Sequence, residues 1–241
     1  MEKNIDQVFK NLDDWRHLPS YQLERRADIF FSLYLKDVLE EKFADRLKGI
    51  PLFDLLVPEF PLRKGTYDAK NEKSNQSTKV DYLAVSKDHK HVFLVELKTD
   101  DASVGPNEEY LQNAKSTGFA KLLEGVLAIR NASLAHGKYD CLMELLERLE
   151  LVKEEQSPDI PKRKSSRRSN FQVTLRSEKY EITVVMLTPN IIKVEQNQFA
   201  FENITFEDVQ RTVSRYKDPL SIRFSESLMK WEKPAGTKQK L

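Results

Sequence analysis

Apolar residues recur at helical spacing through Ala27, Phe31, Tyr34, Leu35 and Val38, the i, i+3, i+4 rhythm of a single helix face. The helix this predicts opens after Leu18-Pro19, with Ser20 as its N-cap, and spans residues 20–43. Residues 55–63 read as a strand, and Pro58 and Pro61 assign it to a sheet edge or break it early. The polar stretch 64–78 reads as a loop. Two strongly apolar strands follow, 79–86 and 91–98, joined by a hairpin turn at Lys87-Asp-His-Lys90. A long helix is predicted from about Asn107, carrying Tyr110, Leu111, Ala114, Leu122, Leu123, Val126 and Leu127. A second starts near Lys138, with Cys141, Leu142, Leu145, Leu146 and Leu149 on one face. Residues 153–169 hold Lys162-Arg-Lys-Ser-Ser-Arg-Arg168, almost nothing apolar, and read as a mobile basic loop. Strands are predicted again at 171–176 and 180–187, then a helix from Thr205 to Tyr216, and a frayed tail over 234–241.

Composition narrows the class. The chain has 241 residues, enough for a single domain with a substantial core. Seven glycines argue against a propeller or a dinucleotide fold. A formal net charge of +1 neither requires nor excludes nucleic acid, because a local basic patch suffices. Cys141 stands alone, so no internal disulfide forms, and its leucine-rich setting reads as burial. His17, His89, His91 and His136 have no zinc-like spacing with cysteine. Neither a signal peptide nor a run of roughly 20 apolar residues is present. The expectation is an intracellular, cytoplasmic protein, nucleoid association included, without membrane contact.

The hairpin carries the chemistry. If its turn centres between Asp88 and His89, Ser86 faces His91, Val85 faces Val92 and Asp81 faces Glu96. Directly opposed residues of an antiparallel pair have Cβ atoms roughly 5 Å apart. Lys98 lies two residues past Glu96 and points to the same side. Both faces of the hairpin are otherwise apolar, as in a central, covered strand pair. Facing carboxylates repel unless a cation or a proton lies between them. A hard divalent ion with oxygen ligands relieves that repulsion. The bland alternative is a solvated rim where strand ends emerge and form a surface ion pair.

Asp81 followed by Glu96-Leu97-Lys98 resembles the signature of the PD-(D/E)XK nuclease superfamily. Val80 stands where that family usually has proline. The resemblance implies an α/β fold, with a restriction-endonuclease-like α-β-β-β-α-β core and a mixed central sheet flanked by helices. It covers roughly residues 20–190. Many members add a glutamate from the first helix. Glu24 shares the face of Phe31, Leu35 and Val38, and Asp28, about 40° around the helix, competes with it. A first-turn acid favoured by the helix dipole is the plainer reading of either. The run Glu109-Tyr-Leu-Gln112-Asn-Ala is similar to the tyrosine-and-glutamine helix of RecB-like members, and Gln112 is either a site-orienting residue or a solvated one. Glu59 reads as a strand-surface residue, and Asp100 and Asp101 as a strand-exit turn.

The resemblance implies a metal-dependent nuclease acting on DNA. Catalytic roles fall to Asp81, Glu96, Lys98, Glu24 and Gln112. Mg²⁺, or Mn²⁺ in its place, would be held by Asp81, Glu96, Glu24 and the Leu97 carbonyl. The basic loop would supply salt-dependent contacts to phosphate. A homodimer or a partner subunit is compatible with the near-neutral charge. The competing class is a binding or scaffolding module that keeps the fold without cleavage.

Overall fold

The computed structural model describes residues 2–100, 109–134, 136–155, 170–174, 179–192 and 201–233. In order these form α1 (Glu2–Trp15), α2 (Glu24–Lys42), α3 (Ala44–Leu47), β1 (Val57–Arg63), α4 (Lys64–Tyr67), β2 (Ser77–Val85) and β3 (His91–Leu97). Then come α5 (Glu109–Thr117), α6 (Phe119–Ala132), α7 (His136–Arg148), β4 (Val152–Glu155), β5 (Asn170–Val173), β6 (Glu181–Thr188), β7 (Glu202–Thr205), α8 (Phe206–Val213) and α9 (Pro219–Trp231). The fold is mixed α/β, with helices flanking a five-stranded sheet in the order β1-β2-β3-β6-β7. Orientation is mixed: β1 runs antiparallel to β2, whereas β6 and β7 are parallel. β4 and β5 form a separate antiparallel pair. The chain divides into two compact units, one of Met1–Gly49, Val95–Glu108 and Val185–Leu241, the other of Ile50–Leu94 and Glu109–Val184.

In the first unit, α2 buries Ala27, Phe31, Tyr34, Leu35, Val38 and Leu39, the stripe its sequence spacing predicts. Phe31 lies edge-on to Phe224 at a ring separation of 5.2 Å and 5.3 Å from Phe206. α1 packs on α9 through Phe9 and Phe224, and Trp231 Nε1 donates to Asp13 Oδ1 at 3.0 Å. Thr205 opens α8 with a reciprocal cap. Its hydroxyl accepts from Asp208 N at 3.2 Å, and its own N–H donates to Asp208 Oδ2 at 3.0 Å, so two otherwise orphaned donors are satisfied at once. The helix predicted from Thr205 therefore begins where expected.

The second unit is built on β1, β2, the start of β3 and the helices over them. β1 is an edge strand, as its prolines require. Val80, Tyr82, Leu83, Ala84 and Val85 of β2 are buried, as are Val92, Phe93 and Leu94 of β3, which matches a covered hairpin. Ser86 N donates to His91 O at 2.9 Å, the pairing expected at this turn. α6 covers β1, and Gly125 leaves room there for Thr66. A Cβ on residue 125 would lie 2.5 Å from the Thr66 hydroxyl.

Several expectations are corrected. Ser20 is not the N-cap of α2. It has a left-handed φ of 63°, and the cap is Leu23, with no side-chain hydrogen bond to the helix. The long helix after residue 107 is two helices, because Gly118 at φ +88° ends one and opens the next. Residues 64–78 are not a plain loop: α4, a 3-10 turn at Ala69–Asn71 and the start of β2 lie within them. Cys141 is exposed, and Met143, Leu146 and Leu149 form the buried side instead. Residues 153–155 belong to β4, while 156–169, with the basic cluster, lie outside the described residues, as does the tail 234–241. Elements α1, β7 and α9 had no counterpart in the sequence prediction. Among the described residues, no helix is long and apolar enough to cross a membrane.

Candidate active site

Alternation along β3 sends Glu96 and Lys98 to one side and Leu97 to the other. Lys98 Nζ donates to Glu96 Oε1 at 2.6 Å. The two side chains keep only 13% and 10% of their accessible surface, so they are not a solvated rim pair. The end of the strand is held by its sheet neighbour β6, because Lys98 N donates to Leu187 O at 2.8 Å. A buried ion pair of this kind offsets part of its desolvation cost through the short, charge-assisted bond.

Glu24, in the first turn of α2, is brought to the same place. Burial holds its carboxyl above the ordinary glutamate range. Lys98 opposes that shift, Glu96 adds to it, and Arg25 and Asp28 contribute less. Glu24 thus lies within electrostatic reach of Lys98 and Glu96 in a partly desolvated corner. Asp28 is exposed, and its Oδ1 accepts from Ile29 N at 2.7 Å. Of the two competing helix acids, Glu24 is therefore the one placed with Glu96 and Lys98.

Asp81, Glu59 and Gln112 belong to the second unit. Asp81 is half-buried on β2. The pairings Pro58 with Tyr82 and Phe60 with Val80 put Glu59 at the register position opposite it. Glu59 is exposed and accepts from Lys79 Nζ at 2.6 Å, the surface role expected of it. Gln112 is half-buried on α5, whose Tyr110 hydroxyl donates to Lys79 O at 3.2 Å. Leu97 is buried in the core at the end of β3. Asp101 lies outside the described residues.

Among the described residues, no three His, Cys, Asp or Glu side chains are arranged as a ready-made metal cage. The donor chemistry of Glu24 and Glu96 nonetheless fits a hard divalent cation. Both offer carboxylate oxygen, and a cation would offset the burial that raises the Glu24 carboxyl.

A cavity of about 290 Å³ adjoins Glu24, lined also by Arg16, Tyr21, Gln22, Leu23, Arg25, Thr99 and Asp100. Sequence reasoning gave Arg16 and Arg25 no role. Arg25 beside Glu24 was a visible signal, whereas Arg16 is linked to this place only by the packing of α1.

The Glu24 environment has a measurable consequence. A carboxyl whose folded pKa is raised is stabilising when protonated, and that contribution is lost as pH rises from the ordinary glutamate range through the folded value. Glu24→Gln should therefore raise the melting temperature at pH 7.5, with the gain shrinking at pH 5. A lower melting temperature at pH 7.5 would contradict this electrostatic reading.

No protein-family model, no curated protein and no solved structure matches the chain.

Proposed function

We propose that the chain is a metal-dependent nuclease of the PD-(D/E)XK type, with a restriction-endonuclease-like core, that hydrolyses phosphodiester bonds in DNA. The observation that carries this reading is the convergence of Glu24, Glu96 and Lys98, two carboxylates around one buried ammonium, on the end of a strand and the first turn of a helix. Glu24, Glu96 and the Leu97 carbonyl would hold Mg²⁺ or Mn²⁺, and the sequence resemblance assigns Asp81 to the same chemistry. When bound, the ion supplies Lewis acidity and a water of lowered pKa. Lys98 contributes what is needed beside it: an ammonium held in place by Glu96. That positive charge would stabilise negative charge developing on a phosphoryl oxygen. Glu96 fixes that ammonium in place, and burial keeps competing water away from it. Gln112 is assigned an orienting role, and a homodimer or partner subunit would extend the DNA-contacting surface.

The test is incubation of the purified protein with single-stranded, double-stranded and branched DNA and with RNA, each in Mg²⁺, in Mn²⁺ and in excess chelator. Cleavage of DNA that depends on metal and returns when metal is restored is the expected result. A folded protein that cleaves none of these substrates in either metal overturns the reading, and DNA binding without cleavage would favour a binding module.

A further inference from the structure

The cavity beside Glu24 contains a buried cation with an unmet donor. Arg16 keeps only 7% of its surface exposed. Its Nη1 donates to Lys230 O at 2.9 Å, and its Nη2 donates to Lys233 O, both neutral carbonyls at the end of α9. Its Nε has no hydrogen-bond partner. Of the nearby carboxylates, Asp13 is already engaged by Arg223, Lys230 and Trp231. Asp100 lines the cavity and contributes charge to Arg16. Burying a guanidinium N–H without an acceptor is costly, so such a group marks a place where a ligand belongs.

A second feature meets it there. The cavity opens on the first turn of α2, whose cap, Leu23, makes no side-chain bond to the helix; Arg26 N already donates to Leu23 O at 2.9 Å, which leaves the N–H groups of Glu24 and Arg25 at the cavity wall. The exposed Arg25 supplies a further cation on the same wall, and Tyr21, Gln22 and Thr99 supply neutral donors. The carboxylates of Glu24 and Asp100 line it too, so the ligand must be anionic on one side and compatible with a cation on the other.

We infer that this cavity binds a phosphomonoester, the terminal phosphate of a nucleic-acid strand, beside the cleavage site. That assignment rests on the nuclease reading above. Three terminal oxygens match two guanidinium groups and a helix N-terminus better than the two free oxygens of an internal diester. At about 290 Å³ the space lies at the lower limit of small-molecule sites. It takes one phosphate with its sugar, whereas an internal diester would need room for chain on both sides.

The test uses the full chain in chelator, where no metal-dependent cleavage interferes. Binding of one single-stranded oligonucleotide is measured with a 5′-phosphate, with a 3′-phosphate and with neither, and inorganic phosphate is added as competitor. One phosphorylated form should bind about tenfold tighter than the unphosphorylated strand, as expected for charge-assisted bonds. Arg25→Gln, an exposed change, should bring that ratio to within about twofold with an unchanged melting curve. Arg16→Lys should lower the ratio as well, removing the Nε donor while keeping the charge. Equal affinity for all three strands overturns the inference, as does a ratio that survives both substitutions. Competition by inorganic phosphate without any preference among the strands points to a free-phosphate site and overturns the strand-end assignment. The same proteins are then assayed with Mg²⁺. A preserved ratio without cleavage removes the nuclease reading alone, and cleavage without any ratio removes the phosphate site alone.

Discussion

Lys98→Ala is expected to lower Mg²⁺-dependent DNA cleavage by about 10²–10³-fold, the usual loss when a donor aimed at developing charge is removed. On the proposed mechanism the loss should appear in kcat, because the ammonium would act where charge forms rather than where DNA first binds. The substitution also removes the ammonium that donates to Glu96 at 2.6 Å, and Glu96 is only 7% exposed. Breaking a buried pair from one side costs about 3–5 kcal/mol, so the alanine variant should melt earlier as well as cleave less. Glu96→Gln separates the two effects. Its amide oxygen still accepts from Lys98 Nζ, so most of the stability should remain while the metal-dependent activity falls. Asp81→Ala, at a half-buried position, should abolish cleavage with the fold intact. Kinetics at saturating DNA, paired with thermal melts of all three proteins, provide the check. Full activity in both Lys98→Ala and Asp81→Ala would remove these residues from the mechanism.

Phe31→Ala should be the most destabilising single change in the aromatic core of the first unit, at about 3–5 kcal/mol. Phe31 is 1% exposed. Its ring meets Phe206 at 5.3 Å, Phe224 at 5.2 Å and Trp231 at 6.5 Å. Removing it leaves a void among three rings from α8 and α9 that cannot all move inward together, so the transfer loss and the cavity cost add. Against a typical total stability of about 5–15 kcal/mol, the loss is large enough to leave part of the protein unfolded at 37 °C. Urea denaturation followed by circular dichroism measures it. A shift below about 1 kcal/mol would mean that the core closes over the gap. Val8, on the outer face of α1 and 46% exposed, is the control, and Val8→Ala should change stability little.

The amino-acid pattern was sufficient wherever structure follows from local periodicity. The α2 stripe, the apolar hairpin and its turn, the edge strand with its prolines, and the start of α8 at Thr205 all express near-neighbour preferences. The Glu96-Leu-Lys98 alternation likewise fixed which side chains share a face, because a strand has a period of two. Other features depended on contacts distant in sequence. Cys141 sits in a leucine-rich helix, yet it faces outward, because which side of an amphipathic helix is buried depends on the element that covers it. Ile5, Val8, Phe9 and Leu12 had helical spacing, but their helix gained significance only from its seat on α9, more than 200 residues away. Glu24 and Asp28, about 40° apart around the helix, were indistinguishable in sequence and differ in burial, Glu24 half-buried within reach of the Lys98 charge and Asp28 exposed. Asp81, Glu96 and Lys98 could be named from the sequence as chemistry. That Glu96 and Lys98 form a buried pair with Glu24, next to a cavity containing an unmet arginine donor, was decided only by tertiary structure, because desolvation is a property of what surrounds a residue and not of the residue itself.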